Sequence, residues 1–119
     1  MNVCKDCPLR LFNDKCHCLK GVGNPLYGKI IVVPNVDYDA YKNKGMTFSK
    51  YVEIINEALS PSTGGLNDYF IVPLIRCKLT DKCPLNNNII SRCIIHTIRD
   101  IVNTHAVKIL LLGDAAKLF

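Results

Sequence analysis

A chain of 119 residues with 49% hydrophobic side chains has the size and composition of one domain with a buried core. Fifteen Lys and Arg against ten Asp and Glu leave a net charge of +5, which favours an acidic partner such as nucleic acid without identifying one. The start, Met1-Asn2-Val3-Cys4-Lys5-Asp6, has no apolar stretch behind a basic head, and the longest apolar run, near Ala106 to Leu112, is too short to span a bilayer. These features predict an intracellular, cytoplasmic protein.

Residues 1–28 are rich in Cys, Lys, Gly and Pro and show no sustained period, which predicts a loop-rich, cysteine-bearing cap ahead of an α/β core over 29–119. Lys29-Ile30-Ile31-Val32-Val33 is a β-branched run stopped by Pro34 and Asn35, the pattern of a strand buried on both faces. From Phe48 to Leu59, Tyr51, Val52, Ile55, Ala58 and Leu59 recur at helical spacing until Ser60-Pro61-Ser62-Thr63-Gly64-Gly65 halts them. Tyr69-Phe70-Ile71-Val72 reads as a second strand that leaves its ladder at Pro73. After a loop from Arg76 to Asn88, Ile90, Ile94, Ile98 and Ile101, with Ile89 and Val102, form one helical stripe ending near Asn103. Val107 to Leu112 reads as a third strand, and Gly113-Asp114-Ala115-Ala116 as the start of another helix. Strands alternating with helices predict a three-layer α/β/α domain with a short parallel sheet, because parallel neighbours need long crossovers.

Seven cysteines would suggest disulfides in a secreted chain, but the count is odd and no secretory signal precedes them, so reduced thiols holding a metal are the better reading. Cys4 and Cys7 form C-x2-C, and Cys77 and Cys93 lie sixteen residues apart, after the second strand and on the following helix. Four thiolates suit a cubane iron–sulfur cluster (4Fe-4S). A zinc site remains open beside it, with Cys4, Cys7, Cys16 and Cys18, and His17 in reach, as a local knuckle. Cys83 reads as a spare thiol, His96 and His105 as solvent-facing or satisfied histidines.

C-x2-C, Gly21-Val22-Gly23-Asn24-Pro25, Gly45-Met46-Thr47-Phe48, the Cys77 and Cys93 spacing, and Leu111-Leu112-Gly113-Asp114-Ala115 together resemble, in order and spacing, the uracil-DNA glycosylases that carry a four-iron cluster. The resemblance implies Cys4, Cys7, Cys77 and Cys93 as cluster ligands and Phe48 as the aromatic that stacks on a flipped base. It implies a DNA-facing loop carrying Arg76, Lys78 and Lys82.

The catalytic pattern departs from that family. Asn35 stands where the family has a carboxylate that supports water attack, and an amide can orient water but cannot take its proton. Asp37 and Asp39 are the acids close enough to substitute. Pro73 replaces the Asn that reads uracil, and the chain stops at Phe119, ahead of the family's fourth strand and His-containing loop. The expectation is therefore a catalytically silent module that binds DNA or a replication or repair protein, similar to modules attached to DNA polymerases of some bacterial viruses. The alternatives are a divergent or split uracil-DNA glycosylase and a zinc-binding α/β protein unrelated to it. Val107 to Leu112, apolar on both faces with no following strand, predicts that a second chain completes the sheet.

Overall fold

A computed structural model describes residues 18–63, 68–77, 79 and 85–118. The sheet is built on the predicted β-branched runs, with one addition. Its strands are β1 (Val22–Gly23), β2 (Lys29–Val33), β3 (Phe70–Pro73) and β4 (Lys108–Leu111), in the order β1-β3-β2-β4. β3, β2 and β4 are parallel, and β1 adds an antiparallel edge beside β3. The described part of the predicted cap thus contributes a strand. Gly21 permits it: a Cβ there would stand 2.6 Å from Val72 Cγ1 and 2.7 Å from Phe70 Cζ, so only glycine lets the chain lie this close to β3.

Pro73 does not end the ladder as its missing N–H suggested. It stays in register with Val33, and the bonding continues past it through Leu74 N–H to the Val33 carbonyl, 2.8 Å, and Ile75 N–H to Pro34, 3.3 Å. The proline occupies a position whose N–H the parallel pairing with β2 does not need.

The helices are α1 (Tyr38–Lys42), α2 (Lys50–Thr63), α3 (Asn87–Asn103) and α4 (Ala115–Leu118). Met46–Phe48 is a 3-10 turn ahead of α2, so the regular helix begins two residues later than its apolar spacing suggested. It also runs through Pro61, which removes one backbone bond without stopping the last turn. α3 starts where Asn86 Oδ1 accepts the Ile89 N–H at 2.9 Å, and it ends where the Thr104 hydroxyl donates to the Asp100 carbonyl at 2.7 Å.

Alternation along the strands sends side chains to two cores. Ile30, Val32 and Val72 meet Ile89 and Cys93 of α3 on one face, while Ile31, Val33 and Ile71 meet Val36, Met46, Val52 and Ile55 on the other. The result is the predicted α/β/α arrangement around a mixed, mostly parallel sheet. On α3 the fully buried line is Ile89, Cys93 and Thr97. Ile90, Ile94 and Ile101 pack beside it, whereas Ile98 and Val102, expected in the same buried stripe, are 48% and 64% exposed. No helix among the described residues is long and apolar enough to cross a membrane.

Candidate functional site

β2 lies between two parallel neighbours reached by crossovers in opposite directions, so the loops after β2 and β4 part at its carboxyl end. In open α/β sheets that fork is where ligands bind. Its walls touch: a Cβ on Gly113, whose φ of +55° suits glycine, would stand 3.4 Å from Pro34 Cγ.

Four polar side chains gather there. Asn35, half-buried in the loop after β2, accepts the Tyr51 hydroxyl at 3.1 Å through Oδ1, which turns its amide nitrogen away from the tyrosine. Asp37 Oδ2 accepts the Lys50 backbone N–H at 2.8 Å, satisfying one of the open donors at the start of α2. Asp37 Oδ1 is buried with no hydrogen-bond partner among the described residues. Burial, and after it the negative charges of Asp37 and Asp114, raise the Tyr51 pKa above its ordinary value. The tyrosine is thereby held as the neutral donor that Asn35 requires.

Of the residues singled out by sequence, Asn35 and Asp37 meet here. Asp37 serves as a helix cap with its second oxygen turned inward, and Asp39 belongs to the first turn of α1, where an acid suits the helix terminus. Phe48 closes the 3-10 turn with its ring against Gly45 and is 54% exposed, so it is a surface aromatic and not a core anchor. Sequence reasoning missed Tyr51 and Asp114. Tyr51 sits in the apolar spacing of α2 and reads as core; its place in the first turn of that helix was the available signal.

The cysteine region lies elsewhere, on the α3 face. Cys77 follows β3 and Cys93 lies on α3; they are 6% and 3% exposed and belong to one apolar cluster. Cys77 is disulfide-bonded, and Cys93 carries a thiol. Cys18 Sγ approaches His96 Nε2 at 3.5 Å. Burial first, then the nearby Arg76 and Arg99 charges, lower the His96 pKa, which favours a neutral imidazole against that sulfur. Both line a cavity of about 390 Å³ with Gly21, Phe70 and Arg99. Among the described residues, no three His, Cys, Asp or Glu side chains converge as a metal site. Cys4, Cys7, Cys16, His17, Lys78, Lys82 and Cys83 lie outside the described residues.

Arg76 requires a correction. It was expected to face phosphates, but it is 4% exposed, and its Nη2 donates to Asp100 Oδ2 at 2.6 Å and to Thr97 Oγ1 at 3.3 Å. The guanidinium is committed to joining the end of β3 to α3, and withdrawing it to reach a nucleic acid would leave Asp100 without its countercharge. His96 is the satisfied histidine expected, and His105 is exposed in the turn after α3, with φ 51°.

No model of a known protein family matches the chain, and no curated protein matches it.

Proposed function

We propose that this protein is a uracil-DNA glycosylase-like iron–sulfur module that binds DNA or a replication or repair protein and does not itself excise bases. The observation that carries this reading is the state of the loop after β2. Asn35 is engaged by Tyr51, and Asp37, the acid nearest to it in the loop, holds its unpaired oxygen out of solvent's reach. At the position of Asn35 itself water meets an amide, which cannot take its proton. Pro73, buried in the sheet, supplies no side-chain group to read the polar edge of uracil. Phe48 remains available as an exposed ring on which an unpaired base can stack.

For the cluster, the residues described fit in part. Cys77 and Cys93 are soft donors in one apolar cluster, but Cys77 is disulfide-bonded, so it would serve as a thiolate ligand only after two-electron reduction by an external thiol. Cys4 and Cys7 would complete the set, with all four sulfurs as thiolates. A cluster bound there supplies a structural staple between the chain's start and α3. The Asn35–Tyr51 pair belongs to the other site, and Phe48 is an exposed ring on the turn ahead of α2.

The test is anaerobic purification with iron, sulfide and zinc analysis, followed by titration with single-stranded DNA containing one uracil. Expected are iron and sulfide that are lost in both Cys77→Ser and Cys93→Ser, and DNA binding weakened severalfold by Phe48→Ala with no uracil released. Release of uracil by the purified chain would replace the silent module with an active glycosylase. Zinc without iron, unchanged by either serine variant, would remove the cluster reading.

A further inference from the structure

Residues three, four and seven places apart share one face of a helix, and on α3 that spacing links His96, Arg99, Asp100 and Asn103. This polar ridge forms one wall of the cavity of about 390 Å³ on the flank toward β1 and β3, while Ile98 and Val102 occupy the other flank, toward β4. The Phe70 side chain and the bare backbone of Gly21 face the ridge from the sheet. Leu19 N–H donates to the Arg76 carbonyl at 2.8 Å, which fixes the next residue, Lys20, at the rim.

The charges here do not balance. Lys20, Arg76 and Arg99 line the cavity against a single carboxylate, Asp100, which leaves two positive charges in excess among the described residues. Asp100 is already taken by Arg76, at 2.6 Å. Even so the guanidinium is incompletely satisfied: Arg76 is 4% exposed, and its Nε is buried without a hydrogen-bond partner among the described residues. A cation held this far from water keeps much of its field, since little solvent screens it. Of the charges acting on His96, those of Arg76 and Arg99 outrank the opposing one of Asp100, so the potential inside the cavity is positive. A solvated ridge of ion pairs would instead give each cation its own acid.

We propose that this cavity binds a terminal phosphate, a phosphate monoester, with Arg99 and Lys20 closing on its oxygens and Arg76 holding positive charge behind them. A phosphate monoester carries about 1.5–2 negative charges at neutral pH, which matches the excess. Its tetrahedral oxygens accept from donors on several sides, here α3, the segment ahead of β1 and the end of β3, whereas a planar carboxylate accepts mainly in one plane. The Asn103 amide adds a neutral donor to the same wall. One phosphate group fills only part of the volume, which is that of a small-molecule site, and the Phe70 ring offers an apolar contact to the body that carries it. Arg76 is anchored to Thr97 and Asp100 and cannot be drawn out to the backbone of a strand, so the phosphate must come in to it. A terminal phosphate enters with one substituent, an internal diester with two. The same chemistry is carried by a free nucleotide and by the phosphorylated end of a DNA strand. The inference does not rest on the function proposed above: the cavity lies on the α3 face, and Phe48 on the turn ahead of α2.

The experiment is calorimetric titration of the purified full chain with thymidine 5′-monophosphate, with thymidine and inorganic phosphate as probes of its two parts. The monophosphate should bind, inorganic phosphate should compete with it, and thymidine should not bind. Arg99→Gln and Lys20→Gln, both at exposed side chains, should each weaken binding about tenfold, the scale of one charge-assisted bond, while Lys42→Gln on α1 changes it less than about twofold. Backbone chemical shifts should move most at Gly21, Phe70 and Asn103. A 5′-phosphorylated oligothymidylate that binds more tightly than its 5′-hydroxyl form would support the site and identify a strand end as the source. Equal binding of the two, with the monophosphate still held, would support it and identify a free nucleotide. The proposal is overturned by a monophosphate that does not bind at about 10 mM, beyond even millimolar affinity. It is overturned equally by an affinity that neither cavity variant lowers more than Lys42→Gln does, or by shifts that gather instead at Phe48 and the start of α2.

Discussion

β2 and β4 are close in composition, Lys-Ile-Ile-Val-Val against Lys-Ile-Leu-Leu, yet they live in different surroundings. Every residue from Ile30 to Val33 is essentially inaccessible, whereas Ile109 and Leu110 keep more than two-fifths of their surface. β2 has a strand on each side and a helical layer on each face, while β4 has one neighbour among the described strands. The difference teaches that an apolar, β-branched run specifies a strand with both faces suited to burial but not its rank in the sheet. That rank follows from where the crossovers land, and it determines what each side chain contributes.

The largest expected effect follows directly. Ile31→Ala empties a fully buried site and should cost about 2–5 kcal/mol in urea unfolding, whereas Ile109→Ala should cost about 1 kcal/mol or less because water already reaches that side chain. Equal losses would break the comparison and place β4 in a covered position within the monomer.

A smaller effect separates the two flanks of α3. Asp100→Asn weakens the ion pair that fixes Arg76 beneath the helix and leaves a buried guanidinium poorly matched, at a cost of about 1–3 kcal/mol. Val102→Asn, on the exposed flank, should stay within about 0.5 kcal/mol. Chemical denaturation of the two variants checks the contrast. Similar losses would mean that the flank facing β4 is as firmly engaged as the one held by Arg76.

How much of this was legible depends on how local the cause is. The three parallel strands and the two longer helices announce themselves through spacing and breakers, because Ile30 to Val33 and the α3 isoleucines obey their own periods whatever surrounds them. Asn35 and Asp37 were also visible, since a polar loop after a buried strand stands at the sheet's carboxyl end in any parallel fold. What could not be read was set by partners far away in the chain. β1 exists because β3 accepts Gly21 at close range. Arg76 looked like a loop cation until Asp100, 24 residues on, claimed it. Ile98 and Val102 fit the stripe of α3 perfectly well, but they lie past the line that β2 and β3 can cover. Tyr51 carried two messages, a ring with core spacing and a hydroxyl with a destination, and only the first is periodic.

That hydroxyl gives the smallest predicted effect and the sharpest check on the fork between β2 and β4. Tyr51→Phe keeps the ring and deletes the donor to Asn35, which should cost about 0.5–1.5 kcal/mol near neutral pH. The folded pKa of Tyr51 is raised above 10.0 by burial first and then by Asp37 and Asp114, so as pH rises past 10 the unfolded chain releases this proton before the folded one does. The stabilisation is fully present below pH 10 and is lost as pH climbs from there through the folded value. The natural chain should therefore approach the phenylalanine variant in stability above pH 10, the gap narrowing only in that window. A gap that stays constant across it would mean that the hydroxyl titrates as it does in the unfolded chain, and that the carboxylates of the two loops do not converge on Tyr51.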